Sequence, residues 1–152
     1  MVLKQQSVRF ELRILDYQFL VSNFIDDLNW LNIEILAEDN FYSWKAKGAF
    51  LRTDELVELL NWFEQLYLNH ETINEKLFFL ENEISFEYYK ELRQISVNLD
   101  FNFHPKKEKY VYGQDYEYKL FFELNKLNLE KILLSLRTLI LKFPNKDEKG
   151  DS

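Results

Sequence analysis

Cysteine is absent from this chain of 152 residues. That removes disulfides, thiolate nucleophiles and thiolate-based zinc sites, and it suits a reducing compartment. Histidine is nearly absent as well. His70 and His104 stand alone, neither in a His-x-x-Glu nor a His-Glu-x-x-His spacing, so histidine-based metal binding or acid/base catalysis has no motif to rest on. With 3 glycines and 2 prolines the chain has no phosphate-binding glycine loop, Gly48 being isolated, and it must consist mostly of regular elements. No apolar run approaches the roughly 18 to 20 residues of a membrane-spanning helix. The start, MVLKQQSVRFELRIL, lacks the apolar core and small-residue cleavage site of a secretory signal. A cytoplasmic protein without membrane contact is the expectation. Basic charge is also scarce: the net charge is −7 and the isoelectric point near 4.9. Since affinity for nucleic acid comes mostly from Lys and Arg on phosphates, no nucleic-acid partner is expected, and a basic partner fits better.

What the chain does have is aromatic and aliphatic bulk. With 14 Phe, 9 Tyr and 3 Trp, and 47% hydrophobic residues, it can build one sizeable core, and no Pro/Gly/Ser-rich linker or repeat of fixed period divides it. Much of this bulk alternates. Phe10, Leu12 and Ile14 oppose Glu11 and Arg13, and Leu31, Ile33 and Ile35 oppose Asn32 and Glu34, the period of half-buried strands. Tyr42, Trp44 and Ala46 continue the pattern after the polar turn AEDN. In the second half, residues 75–92 read as a hairpin turning at Glu81, Asn82 and Glu83. Ile95 to Phe103 then alternates strictly, with Ser96, Asn98, Asp100, Asn102 and His104 forming a polar ladder assigned to a solvated face. Tyr116, Tyr118, Leu120, Phe122 and Leu124 line a last strand.

Two segments change to a helical period. Leu56, Leu59, Leu60, Phe63 and Leu66 make one apolar stripe, flanked by Trp62 and Tyr67. Thr53 is the expected N-cap, with Asp54 and Glu55 at the positive end of the helix dipole. A second helix spans Leu129 to Phe143, with Asn128 as cap, Leu127 and Ile132 as staple and Pro144 as stop. The expected architecture is α+β: a mainly antiparallel β-sheet with two amphipathic helices packed on one face, a single domain over 1–144, and a frayed tail over 145–152.

The segments NWLNIEI (29–35) and YSWKAKGAFLRTDELVELLNWFEQL (42–66) carry a resemblance. With Trp30, Ser43, Trp44, Thr53, Glu55, Leu56 and Trp62 in this order, the chain resembles the WapI family of bacterial immunity proteins. The resemblance implies a cytoplasmic antidote that binds and blocks a cognate polymorphic toxin, often a nuclease, and it implies no catalytic residues; the missing cysteine, isolated histidines and absent glycine loop likewise lead to an expectation of no enzymatic activity, cofactor or metal. Charge placement suggests where such a partner would bind. Between Arg13 and Lys45 there is no Lys or Arg, whereas Asp16, Asp26, Asp27, Glu34, Glu38 and Asp39 all fall there. The expected partner-binding residues are Asp26, Asp27, Glu38 and Asp39, with Phe41 and Tyr42 as aromatic anchors. The alternatives are an ordinary solvated acidic face, a small-ligand or enzymatic site on the open sheet face around Asp100 and His104, and an accessory interaction domain of a larger assembly. Oligomeric state and strand order stay open.

Overall fold

A computed structural model of the chain describes residues 1–146. Strands β1 (Val2–Gln5), β2 (Val8–Tyr17), β3 (Trp30–Glu38) and β4 (Ser43–Arg52) form one antiparallel sheet in the order β1-β2-β3-β4. The short helix α1 (Ile25–Leu28) lies in the β2–β3 connection, and β4 runs directly into helix α2 (Thr53–Leu68). Strands β5 (Lys76–Phe78), β6 (Ile84–Tyr89), β7 (Gln94–Leu99) and β8 (Tyr118–Glu123) form a second antiparallel sheet, followed by helix α3 (Lys126–Lys142). The class is α+β and the fold a single domain. Its strands fall into two four-stranded sheets, and the sequence of four strands and a helix occurs twice without a matching repeat in the residues.

One core serves both halves. The alternation in the first sheet is realised as expected, with Phe10, Leu12, Leu31, Ile33 and Ile35 fully buried. Phe86 of β6 is the meeting point, since its ring packs against Phe10 from the first sheet, Trp62 and Phe63 from α2, and Phe79. The sheets are also tied by polar bonds. The Trp44 indole donates to the Phe103 carbonyl at 2.9 Å, and the Glu123 amide donates to Gln5 Oε1 at 2.6 Å. The two helices pack together, with Arg137 on Glu64 at 3.2 Å and the Tyr67 hydroxyl donating to Glu130 at 3.0 Å.

The helix starts differ from expectation in a consistent way. Arg52, not Thr53, is the N-cap of α2, and Glu55 three residues on accepts from its amide at 3.0 Å. Glu55 is buried, and its other oxygen accepts from the Leu80 amide at 2.7 Å, so one carboxylate caps the helix and fastens the β5–β6 turn. Thr53 is the first helical residue, buried, with its hydroxyl facing Asn29 and Asn145. The cap of α3 is Asn125, accepting from the Asn128 amide at 2.8 Å. Its buried staple positions are then Leu124 and Leu129, leaving Leu127 exposed. Of the tail expected to fray, Asn145 and Lys146 are hydrogen-bonded to Thr53 and Asn29, and 147–152 lie outside the described residues.

Candidate functional site

The β2–β3–β4 meander decides where the six expected binding residues go. Strand β3 runs from Trp30 to Glu38, a span of roughly 26 Å at about 3.3 Å per residue. Asp26 and Asp27, on α1 just before it, and Glu38 at its end with Asp39, Phe41 and Tyr42 in the hairpin that follows, therefore occupy opposite ends of the sheet. The structure gathers the last four and separates them from the first two.

At the hairpin end Asp39 is engaged within the protein, whereas Glu38 is exposed. Asp39 Oδ1 accepts from the amides of Phe41 and Tyr42, both at 2.8 Å, and its Oδ2 accepts from the Tyr118 hydroxyl. Burial, reinforced by the Asp39 carboxylate, pushes the Tyr118 phenol above its ordinary range, so that bond persists across physiological pH. Tyr42 packs edge-on against Trp44 and Tyr118, while Phe41 projects into solvent. The basic loop after Pro105 folds alongside, with Lys107 Nζ donating to the Lys45 carbonyl at 2.6 Å and Lys106 paired with Asp115. Four lysines, Lys45, Lys106, Lys107 and Lys109, thus share this end with the acids. A run that is acidic in sequence is mixed in space.

The other end is different. Asp26 keeps three-quarters of its side chain in solvent while reaching Arg52 at 3.2 Å, and Arg52 also meets Asp54 at 3.3 Å. Asp27 accepts from the Ser22 hydroxyl at 3.0 Å, and Asp16 from Asn32 at 2.7 Å. Beside these acids stands a group the sequence reading passed over. Phe19, Leu20, Val21, Phe24 and Ile25 are all exposed in the β2–β3 connection, Leu20 at 81% and Val21 at 87%. The available signal was the break in alternation at Phe19-Leu20-Val21, a run of three apolar residues directly after a strand of strict period.

Asn29 forms the floor of this connection and was equally unmarked in sequence. It is 4% exposed, and its amide nitrogen donates to the carbonyls of Ile25 and Lys146 at 3.2 and 2.8 Å. Its oxygen accepts from the Lys146 amide at 2.7 Å and the Thr53 hydroxyl at 3.1 Å. One side chain thereby joins the apolar connection, the start of α2 and the segment after α3.

The expectation that the polar ladder is solvated holds for Asn102, which is exposed, but not for Ser96, Asn98 and His104. Ser96 and Asn98 are 0% and 1% exposed, and His104 is buried. The register places Glu87 and Phe121 on either side of Ser96, and Ser85 and Lys119 on either side of Asn98, so long side chains of β6 and β8 close over the short ones. Inside, Ser96 donates to Asn98 at 2.7 Å, Asn98 to Ser85 at 3.2 Å, and Lys119 to Glu87 at 2.8 Å. The regular strand also stops at Leu99, because Asp100 caps a 3-10 turn over Phe101–Phe103. Tyr116, expected inside, is exposed because it precedes the start of β8.

His104 and Asp100 serve local structure. His104 Nδ1 accepts from the Lys106 amide at 3.1 Å, its ring lies between Tyr110 and Tyr118, and burial pulls its pKa below the ordinary histidine value. Asp100 accepts from the Phe101 amide and the Tyr110 hydroxyl. The clefts nearest to them, one lined by Phe101, Lys107, Tyr110 and Tyr112 and one by Tyr42, Pro105, Lys106 and Lys109, include neither residue in their walls. Among the described residues no group of three or more His, Asp or Glu is placed to hold a metal ion, and no helix is long and apolar enough to cross a membrane.

No curated protein and no solved structure matches the chain significantly. A family model described as the immunity protein WapI-like family matches residues 1–144, in line with the segments around Trp30, Trp44 and Trp62, and the chain belongs to that family.

Proposed function

We propose that this protein neutralises a cognate toxin by forming a stoichiometric complex with it in the cytoplasm, and that the toxin domain is basic, a nuclease being the class that fits best. The carrying observation is the Asp26–Asp27 end of the first sheet, with Asp26 exposed and Asp27 partly so, in an immunity-family protein of net charge −7. A domain that cuts nucleic acid needs Lys and Arg on the surface that meets phosphates. An acidic partner can occupy that surface and associate quickly through complementary charge. In this reading the chain acts by occupancy and performs no chemistry, which agrees with the structural employment of His104 and Asp100.

Of the six expected contacts, Asp26 and Asp27 are assigned to the primary surface. Glu38, Asp39, Phe41 and Tyr42 are reached only if the partner lies along the whole sheet. A standard interface patch of about 800 Å² per partner is roughly 30 Å across, comparable to the length of β3, so such a pose is physically open but extreme.

The experiment is co-purification with a catalytically inactivated form of the toxin domain encoded in the adjacent reading frame, together with rescue of cells expressing the active toxin. A 1:1 complex, taken as the stoichiometry of simple occupancy, and rescue are expected. Reversals at Asp26 and Asp27 to Lys should slow association roughly 10-fold at low salt and weaken its salt dependence. No complex at micromolar concentration, or rescue without a complex, would refute the reading.

A further inference from the structure

We infer that the β2–β3 connection is an apolar plug: Phe19, Leu20, Val21 and Phe24, ringed by Asp16, Asp26, Asp27 and Asp54, insert into an apolar pocket rimmed by Lys and Arg on the toxin domain. This rests on the neutralisation reading and names the surface through which it operates.

The first ground is the concentration of exposed apolar bulk. Five large apolar residues in seven positions, Phe19 to Ile25, lie open to solvent, and Phe24 is 71% exposed. Isolated exposed hydrophobics are ordinary on soluble proteins, but a contiguous patch rimmed by polar residues marks a place where something else docks.

The second ground is that the loop is held in this shape. At its base the Gln18 amide donates to the Trp30 carbonyl at 2.9 Å. Within it the Phe24 amide donates to Ser22 Oγ at 3.1 Å, the Ser22 hydroxyl donates to Asp27, and the Asp27 amide donates to the Phe24 carbonyl at 3.1 Å. Asn29 holds Ile25 from below. The polar atoms are turned inward to one another while the apolar side chains point out. A loop arranged in this way loses little conformational freedom on binding, which is the condition for a small surface to give high affinity.

Charge selects the occupant. Residues 147–152, Asp-Glu-Lys-Gly-Asp-Ser, offer no large apolar side chain to cover the patch. Among the described residues, four carboxylates around the loop face Arg52, which is shared by Asp26 and Asp54, and Lys146, whose ammonium lies over the Tyr17 ring at 3.7 Å. A second copy docked about a two-fold axis would set that carboxylate ring against itself. An anionic bilayer surface would be repelled by the same ring. A basic protein partner gains from it at every approach, and the apolar residues then govern how slowly it leaves.

The test measures binding of the full chain to the inactivated toxin domain, comparing wild type with Leu20→Ser/Val21→Ser/Phe24→Ala, and with Phe41→Ala/Tyr42→Ala at the far end of the sheet. Thermal unfolding of the loop variant should stay within roughly 2 °C of wild type, because the removed side chains are exposed. If the combined variant unfolds, Leu20→Ser alone at 81% exposure serves in its place. The expected result is a Kd raised roughly 30-fold or more, through faster dissociation, for the loop variant, and a change under about 3-fold for the far-end variant. Equal binding by wild type and loop variant would overturn the plug while leaving neutralisation intact. Absence of binding by wild type would overturn both. Two further outcomes would reassign the surface: a concentration-dependent dimer lost in the loop variant, or retention on phosphatidylglycerol vesicles.

Discussion

Replacing Asn29 by Asp alters almost no volume, and it separates two accounts of what holds the β2–β3 connection to the rest of the fold. If Asn29 merely fills space, the change is close to neutral. If its amide nitrogen is the joint, the change places a carboxylate oxygen against the carbonyls of Ile25 and Lys146, which now accept at 3.2 and 2.8 Å. Two hydrogen bonds are lost, at about 1 kcal/mol each, and a charge is buried at a site 4% exposed with two carbonyl oxygens facing it. The expected loss is about 3 to 4 kcal/mol. Asn29→Ala, which forfeits all four bonds but introduces no repulsion, should lose about 3 kcal/mol, so Asp is as harmful as Ala or worse. With a urea m-value of about 2 kcal/mol per molar, the Asn29→Asp midpoint should fall by about 1.5 to 2 M. Chymotryptic cleavage at Phe19 and Phe24 should accelerate, because the floor beneath the loop is gone. Acidification, which gives the carboxyl a proton to donate, should recover part of the loss. An Asn29→Asp midpoint within about 0.3 M of wild type would refute the joint, since it is smaller than any single lost hydrogen bond would produce.

Trp62→Ala should cost about 3 to 5 kcal/mol, because the ring is buried against Phe63 and Phe86 and its nitrogen donates to the Asn74 carbonyl at 2.8 Å; Trp62→Phe should recover most of this in the same denaturation assay. Glu55→Ala leaves the amides of Arg52 and Leu80 without their acceptor, and a loss of about 2 to 3 kcal/mol is expected at pH 7. Burial raises the Glu55 pKa above its ordinary value of 4.5, so the stability it contributes is fullest below 4.5 and declines as pH rises through the folded value; the gap between wild type and Glu55→Ala should therefore widen from pH 7 to pH 5. His104 behaves oppositely. Burial lowers its pKa below 6.5, so the contribution of the neutral ring is present above 6.5 and lost as pH falls through the folded value, and a His104→Leu variant should lack that part of the acid-side slope in urea midpoints.

The legible parts of this protein were those governed by local periodicity. Alternation placed Phe10, Leu12, Leu31, Ile33 and Ile35 in the core, and helical spacing placed Leu56, Leu59, Phe63 and Leu66 there, because period 2 or period 3.6 fixes which side chains share a face whatever that face meets. The resemblance around Trp30, Trp44 and Trp62 likewise pointed to the family that the match over residues 1–144 shows. Helix boundaries were less legible. Thr53 and Asn128 are good caps by residue type, but Arg52 and Asn125 hold those positions, since the starting residue is set by where the preceding strand releases the chain.

Periodicity names two faces of a strand without saying what covers each. Ser96 and Asn98 read as solvated until the cross-strand register put Glu87, Phe121 and Lys119 around them, and those neighbours are distant in sequence. Charge shows the same division. Net charge is additive, so the sequence alone determined that the protein is acidic. Which acids remain free depends on folding: Asp39 bonds to Tyr118, far along the chain, and the lysines after Pro105 come to rest beside the hairpin. Asp26 and Asp27 end at the opposite edge, next to an apolar loop that tertiary packing left uncovered. The sequence supplied composition and period, which are local or summed quantities; the tertiary structure alone decided which charges are neutralised and which apolar residues stay exposed, because both depend on contacts between residues tens of positions apart.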